Sequence, residues 1–240
     1  MENANLTTSS VQDRIKVIAV IGATGEIGRR FVEQLLALED PMLEVVSMVR
    51  DKTKVSLSHA GTKIYEIDIT KRETLENAFL EISKTQGELL GVINAAGVVA
   101  FGESGSLPGD VVSQLVGVNT LGVLNILGAA LKYVSQGGWV LNMSGVAAEM
   151  PVMGMGAYCS SKAGASMAMK VANRELKRRG ARAIDVRVGH TETGLAGRAL
   201  CGEPLKMSQG LDPDYVVSEI LKHVKNGETD IGPDRFLRTS

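Results

Sequence analysis

The apolar run Lys16-Val-Ile-Ala-Val-Ile21 meets the turn Gly22-Ala-Thr-Gly25-Glu-Ile-Gly28 without a spacer, and an amphipathic stretch, Glu26–Leu38, leads out of that turn. A short β-branched run reads as a strand, and glycines let the backbone bend sharply into a helix. The same alternation continues downstream. Glu44–Val49, Lys63–Ile67, Leu89–Asn94, Gly138–Asn142 and Ala181–Val188 read as strands, and Lys71–Lys84, Asp110–Val134 and Ala157–Arg179 as helices. Regular alternation predicts an α/β fold, a doubly wound parallel sheet with helices on both faces. The nearly continuous apolar character of the strands agrees, since parallel strands are buried on both sides.

After Val188 the pattern weakens. Residues 190–212, rich in Gly and polar residues, read as a loop on the ligand side. Asp212-Pro213 starts a helix reaching about Asn226, and Thr229-Asp-Ile-Gly-Pro adds a short strand ended by Gly232 and Pro233.

A length of 240 residues suits one compact domain, expected over residues 15–240, with residues 1–14 as a loose polar tail lacking the apolar core of a signal peptide. The net charge of -1 leaves no electrostatic excess to attract nucleic acid or an anionic membrane, so a small molecule is the expected partner. No apolar stretch is expected to approach the roughly 20 residues that span a bilayer. Cys159 and Cys201 stand alone, with no CxxC or Cys/His ligand spacing, which argues for neither a disulfide framework nor a metal site. The chain reads as reduced and cytoplasmic.

A glycine turn between strand and helix is where a dinucleotide pyrophosphate is held. Gly22 permits the turn, Gly25 the approach of backbone to phosphate, and Gly28 the close packing of helix on sheet, with Thr24, Glu26 and Ile27 in the same segment. Arg50 ends the second strand, where a guanidinium pairs with a ribose 2′-phosphate and an acid favours NAD; Asp51 follows it, and a solvated strand end is the plain alternative. Asp68 is an adenine acceptor flanked by Ile69, or a helix N-cap. Asn94, Ala95, Ala96 and Gly97 either admit the cofactor backbone or pack tightly. Tyr158 and Lys162, four apart in a helix, put a phenol and an ammonium on one face.

In order and spacing these residues resemble the short-chain dehydrogenase/reductase family from about Lys16 to Thr193. The resemblance implies a single-domain Rossmann-type fold with about seven parallel strands. It implies an NADP(H)-dependent oxidoreductase, with NAD(H) possible, acting as a carbonyl reductase or alcohol dehydrogenase on a small or medium organic molecule. Tyr158 would be the acid/base, Lys162 would favour its phenolate and hold the nicotinamide ribose, and Asn119 would keep a relay water. Gly189, Thr191 and Thr193 would approach the nicotinamide and phosphates; His190 is an acid–base group or a solvent-facing loop residue.

One departure stands out. The family serine that polarises the substrate oxygen lies thirteen positions before the tyrosine, which here is Gly145, and Ser144 sits one residue earlier. Either a shifted loop brings Ser144 to the oxygen, or the donor is missing. A missing donor would favour an altered reaction such as isomerisation or dehydration, and a non-catalytic NADP sensor is the other alternative. Met150, Val152, Met153 and Met155, with parts of Leu195–Met207, form a substrate wall or plain core. The resemblance also implies a homodimer or homotetramer built on the two long helices, with Gly164, Ala165, Ala168 and Ala172 at the contact. The usual Asp-Gly-Gly ending is absent.

Overall fold

The computed structural model describes residues 14–237, so the expected N-terminal tail lies outside the described residues except for Arg14. Seven strands form one sheet: β1 Lys16–Ile21, β2 Leu43–Val49, β3 Lys63–Glu66, β4 Glu88–Asn94, β5 Trp139–Met143, β6 Arg182–Val186 and β7 Asp230–Ile231. Their order is β3-β2-β1-β4-β5-β6-β7 and every pairing is parallel. The winding reverses between β1 and β4, which opens a crevice at the carboxyl ends of those strands.

Period-two alternation along β1 sends Val17, Ala19 and Ile21 to one face and Ile18 and Val20 to the other. The first face is covered by α2 (Arg72–Thr85), α4 (Gly122–Ala130) and α5 (Gly156–Lys177), through Leu75, Phe79, Ile82, Ile126 and Met169. The second is covered by α1 (Glu26–Leu36) and α6 (Pro213–Lys225), through Phe31, Val32, Leu35, Val216 and Ile220. This is the doubly wound, Rossmann-type arrangement. Asp212 caps α6 by accepting from the Tyr215 N–H, and Pro213 occupies the first turn, where its missing N–H costs nothing.

The helix expected over Asp110–Val134 is not uniform. It is α3 (Gly109–Val116), a wider π-helical turn over Gly117–Leu121, and α4. The cause is Asn119, whose amide accepts from Val98 N–H (3.0 Å) and donates to Val98 O (2.9 Å) and Ser161 Oγ (3.0 Å). A π-bulge commonly marks a functional position.

The expectation that no segment approaches membrane-spanning length is corrected by the same element. Gly109–Ala130 is 22 residues long with mean hydropathy 1.5, long and apolar enough by those measures. One side of it packs on the sheet through Val123, Ile126, Leu127 and Ala130, while Val116, Leu121 and Leu124 are exposed.

Candidate active site

Tyr158 and Lys162 share the first turns of α5 as the spacing predicts, with Lys162 Nζ 5.9 Å from the Tyr158 ring centroid. Lys162 is buried and donates to the Met143 carbonyl at 2.8 Å. Burial pushes its pKa down to about 8, against the pull of the Asp185 carboxylate. Burial also pushes Tyr158 up to about 12, with Cys159 adding to the rise. Desolvation is the largest influence on the Tyr158 phenol and works against the phenolate that the Lys162 ammonium is expected to favour. A protonated phenol at neutral pH is a proton donor.

Ser144 is tied into the interior of the chain. It is fully buried, donates to Asp185 Oδ1 at 2.5 Å and accepts from Asn142 Nδ2 at 2.8 Å. Asp185 Oδ2 accepts in addition from Ser166 Oγ (2.6 Å) and Arg187 Nη1 (3.1 Å). Arg187 in turn bridges to Glu149 at 2.6 Å and to Asp230. A buried carboxylate is tolerable only when its oxygens are satisfied, and Ser144 is part of that satisfaction. Ser144→Ala is expected to cost about 1–3 kcal/mol of stability, read as a lower Tm, with kcat retained below the transition. A selective loss of kcat would restore the shifted-serine reading.

Gly145, at the position of the family serine, has φ 77°, and a Cβ there would meet nothing closer than Val188 O at 3.7 Å. The position has room, but the backbone is left-handed, where a side chain is strained.

The π-turn brings Asn119 to the same place. A Cβ on Gly97 would lie 3.4 Å from both Asn119 Oδ1 and Lys162 Nζ. Asn119's side chain is engaged by Val98 and Ser161, so it holds the strand exit in position.

On the dinucleotide side, a Cβ at Gly22 would lie 2.8 Å from Ala96 N and one at Gly28 would lie 2.1 Å from Gly22 O. Only glycine satisfies either approach. Ala96 is thus packed on the turn, Ala95 N–H bonds Ile21 O, and Asn94 bridges Asn142 (2.8 Å) and Ala96 N–H (3.2 Å). Gly25 is the N-cap of α1 and no side chain caps that end. Glu26 is drawn back along the helix by Arg29 (2.8 Å) and Arg30 (3.0 Å), leaving Thr24 and Ile27 half-buried beside it. An uncapped helix start behind a glycine turn fits a pyrophosphate.

Arg50 is exposed at the end of β2, followed by exposed Lys52 and Lys54. Asp51 Oδ1 accepts from Thr53 N (2.9 Å) and Thr53 Oγ1 (2.6 Å), capping the short turn that follows. Asp68 likewise accepts from Thr70 N (2.9 Å) and Thr70 Oγ1 (2.7 Å). These bonds hold its carboxyl below the ordinary range although burial opposes them. Ile69 is buried against Gly122, whose added Cβ would meet Ile69 Cδ1 at 2.8 Å.

Beyond β6, a Cβ on Gly189 would project into open space, as a nicotinamide pocket requires. Thr191 donates to Gly189 O (3.1 Å) and pairs with Leu211, while Thr193 Oγ1 accepts from Leu195 N–H (3.3 Å). The Thr191–Leu211 bridge closes the neck of the loop. His190 is exposed on it beside Glu192 (3.4 Å). Within the loop, Leu200 N–H bonds Val99 O (2.8 Å) and Phe101 N–H bonds Cys201 O (2.9 Å). Val99, Phe101 and Met155 form an apolar cluster with Val152, Tyr158, Leu195 and Leu205. Met153 (92% exposed) and Met150 (55%) stand outside it, so half of the expected methionine wall is surface. Phe101 and Asp185 were not singled out from the sequence; the apolar run after Gly97 was the one available signal for the first, and nothing local marks the second.

The family model described as short chain dehydrogenase matches residues 16–201. The mouse 3-oxoacyl-[acyl-carrier-protein] reductase is 30% identical over 175 residues, 68% of this chain and 72% of that protein. Carbonyl reductase family member 4 of Xenopus tropicalis is 26% identical over 170 residues, with the same coverage of 68% and 72%. Among solved structures, a short chain dehydrogenase from Burkholderia cenocepacia in complex with NADP superposes with a TM-score of 0.79 at 23% identity, over 90% of this chain and 87% of that one. The ligand-free aldohexose dehydrogenase of Thermoplasma acidophilum gives 0.77 at 20% identity, over 92% of each; both show the shared fold. A family match running unbroken from β1 past the Tyr158 helix to the ligand-side loop makes this chain an oxidoreductase of the short-chain dehydrogenase family.

Proposed function

We propose that the protein is an NADP(H)-dependent carbonyl reductase or alcohol dehydrogenase acting on a small or medium organic molecule of apolar character. The observation that carries this reading is the pairing of Tyr158 and Lys162 on the first turns of α5, Lys162 Nζ 5.9 Å from the ring, with the phenol set in the apolar cluster of Val99, Phe101 and Met155. The cofactor, when bound, supplies the hydride that reduces the carbonyl carbon. Tyr158 gives its Oη proton to the carbonyl oxygen and, in the reverse direction, takes the alcohol proton back. Lys162, which donates to the Met143 carbonyl, holds the ribose and offsets the phenolate charge. Val99, Phe101, Met155 and Leu195 exclude water around the phenol.

The names of the relatives support reduction of a carbonyl, and the NADP of the Burkholderia neighbour supports the choice of cofactor. For this chain, Arg50, Lys52 and Lys54 offer positive charge to a 2′-phosphate, and Asp51 Oδ1 is bound by Thr53. The test is oxidation of NADPH and NADH, followed at 340 nm, with a panel of ketones and aldehydes. Arg50→Glu is expected to weaken NADPH binding by more than about tenfold and to leave NADH binding nearly unchanged. Equal effects on both cofactors would remove the 2′-phosphate role; no oxidation of either would remove the reductase.

Gly145 favours a second reading, a reaction without net redox on the same scaffold, because the usual polarising hydroxyl is missing. Substrate conversion without consumption of NADPH would establish it. The working form is a homodimer. Val116, Leu121 and Leu124 of the α3–α4 element and Met167 and Val171 of α5 are exposed apolar side chains. Ala165 and Ala172, expected at the contact, are buried within the chain, and Gly164 packs on Thr120.

A further inference from the structure

We infer that His59 is a positioning residue for the dinucleotide turn: it ties the segment after β2 to the Ala23 carbonyl and thereby aims the Thr24 N–H at the phosphate side. The inference rests on the proposed cofactor role of the turn.

His59 is 3% exposed, unlike the loop residue His190. Its Nε2 is 3.0 Å from Ala23 O, between the first two glycines. Its Nδ1 faces Ser56 N–H (3.3 Å), Ser58 Oγ (3.3 Å), Ser56 Oγ (3.4 Å) and Ser56 O (3.3 Å). A carbonyl can only accept, so Nε2 donates to Ala23 O, while Nδ1 lies among the groups of Ser56 and Ser58.

In a trans peptide the C=O and the following N–H point in opposite directions, and no described peptide is cis. With Ala23 O drawn to His59, the N–H of Thr24 is directed to the other side of the turn, where the uncapped start of α1 also points its amides. Met48 O holds the same turn from the amide side, accepting from Gly22 N–H (2.9 Å) and Ala23 N–H (3.4 Å). Without His59 the Ala23 carbonyl loses the one side-chain donor it has among the described residues, and the Ala23–Thr24 peptide is less firmly held in the orientation that faces its N–H toward an anion.

The connection reaches further along the chain. Residues 50–62 contain two short 3-10 turns, Lys52–Lys54 and Leu57–His59. Thr62 Oγ1 locks the second by bonding His59 O (2.9 Å) and Ser47 Oγ (2.9 Å). The segment that presents Arg50, Lys52 and Lys54 is thus joined to the pyrophosphate turn through one imidazole. His59 acts on the part common to both cofactors, so it sets affinity for NADPH and NADH together, whereas Arg50 sets their ratio.

The test compares His59→Leu, which keeps bulk without a donor, with His59→Gln, whose amide nitrogen reaches as Nε2 does. Kd values for NADPH and NADH are measured by titration calorimetry on the full chain, with Tm recorded without cofactor. His59→Leu is expected to weaken both cofactors about tenfold with their ratio unchanged, and His59→Gln to recover most of the loss. Unchanged Kd values in a folded His59→Leu, or equal losses in the two variants, overturn the inference while leaving the reductase reading intact. Should His59→Leu not fold, His59→Gln against His59→Asn decides, since the shorter amide cannot reach Ala23 O, and equal affinity overturns it. A wild-type chain that binds neither cofactor overturns both readings at once.

Discussion

Tyr158→Phe is expected to lower reductive turnover by about 10³-fold while the Kd for NADPH stays within a factor of about two. The phenol hydroxyl is the only atom removed, and the ring remains in the cluster of Val99, Phe101 and Met155. A fold-wide loss is therefore not anticipated, and an unchanged Tm serves as the control. The pH dependence of the wild type follows from the same pair. Tyr158, raised to about 12 by burial, remains a proton donor throughout the working range. Lys162, lowered to about 8 by burial, is charged below that pH and neutral above it. Reductive turnover is thus expected to be level below pH 8 and to decline as pH rises through it. Activity that survives in Tyr158→Phe would remove the tyrosine from proton transfer and transfer the role to another group.

Gly145→Ser is expected to raise carbonyl reduction by about 10²-fold, the amount typically lost when one donor to a developing oxyanion is removed. The wild-type enzyme, lacking that hydroxyl, should be correspondingly slow on simple ketones. A Cβ at position 145 has space, since its nearest neighbour is Val188 O at 3.7 Å, but φ is 77°. A left-handed residue costs about 1–2 kcal/mol, so Tm should fall as activity rises. Gly145→Ala bears the same backbone cost without a hydroxyl, and the difference between the two variants isolates the donor. Equal turnover in the serine and alanine variants would mean that the reaction needs no donor there, which favours chemistry without net redox.

Much of the framework was legible in the chain because its signals are local. β-branched runs, glycine spacing and amphipathic period need only a few neighbouring residues to act, and they located β1 and the turn after it without error and the other strands and α-helices to within two residues, except for the break at Asn119 and the early end of α4; the short 3-10 turns carried no such signal. The four-residue interval of Tyr158 and Lys162 likewise follows from helix geometry alone. The comparison with relatives then established the family.

What local signals do not contain is the destination of a polar side chain. Ser144 could be matched to a catalytic serine by position, yet its partner, Asp185, lies 41 residues away on β6, and only the β5–β6 pairing brings them together. Ile69 is claimed by a glycine of α4, and Ala165 and Ala172 by their own core. His59 finds Ala23 across 36 residues because β2 lies beside β1. The pKa values of Tyr158 and Lys162 belong to the same class, since burial is a property of the assembled apolar cluster and not of either residue. The sequence by itself determined the alternation of elements, the glycine turn and the helical pairing of phenol and ammonium, all set by backbone sterics and side-chain period. The tertiary structure alone decided which hydroxyl was engaged, which carboxylate was spent and which ionisable groups lost their water, because desolvation and long-range hydrogen bonds exist only once distant strands are side by side.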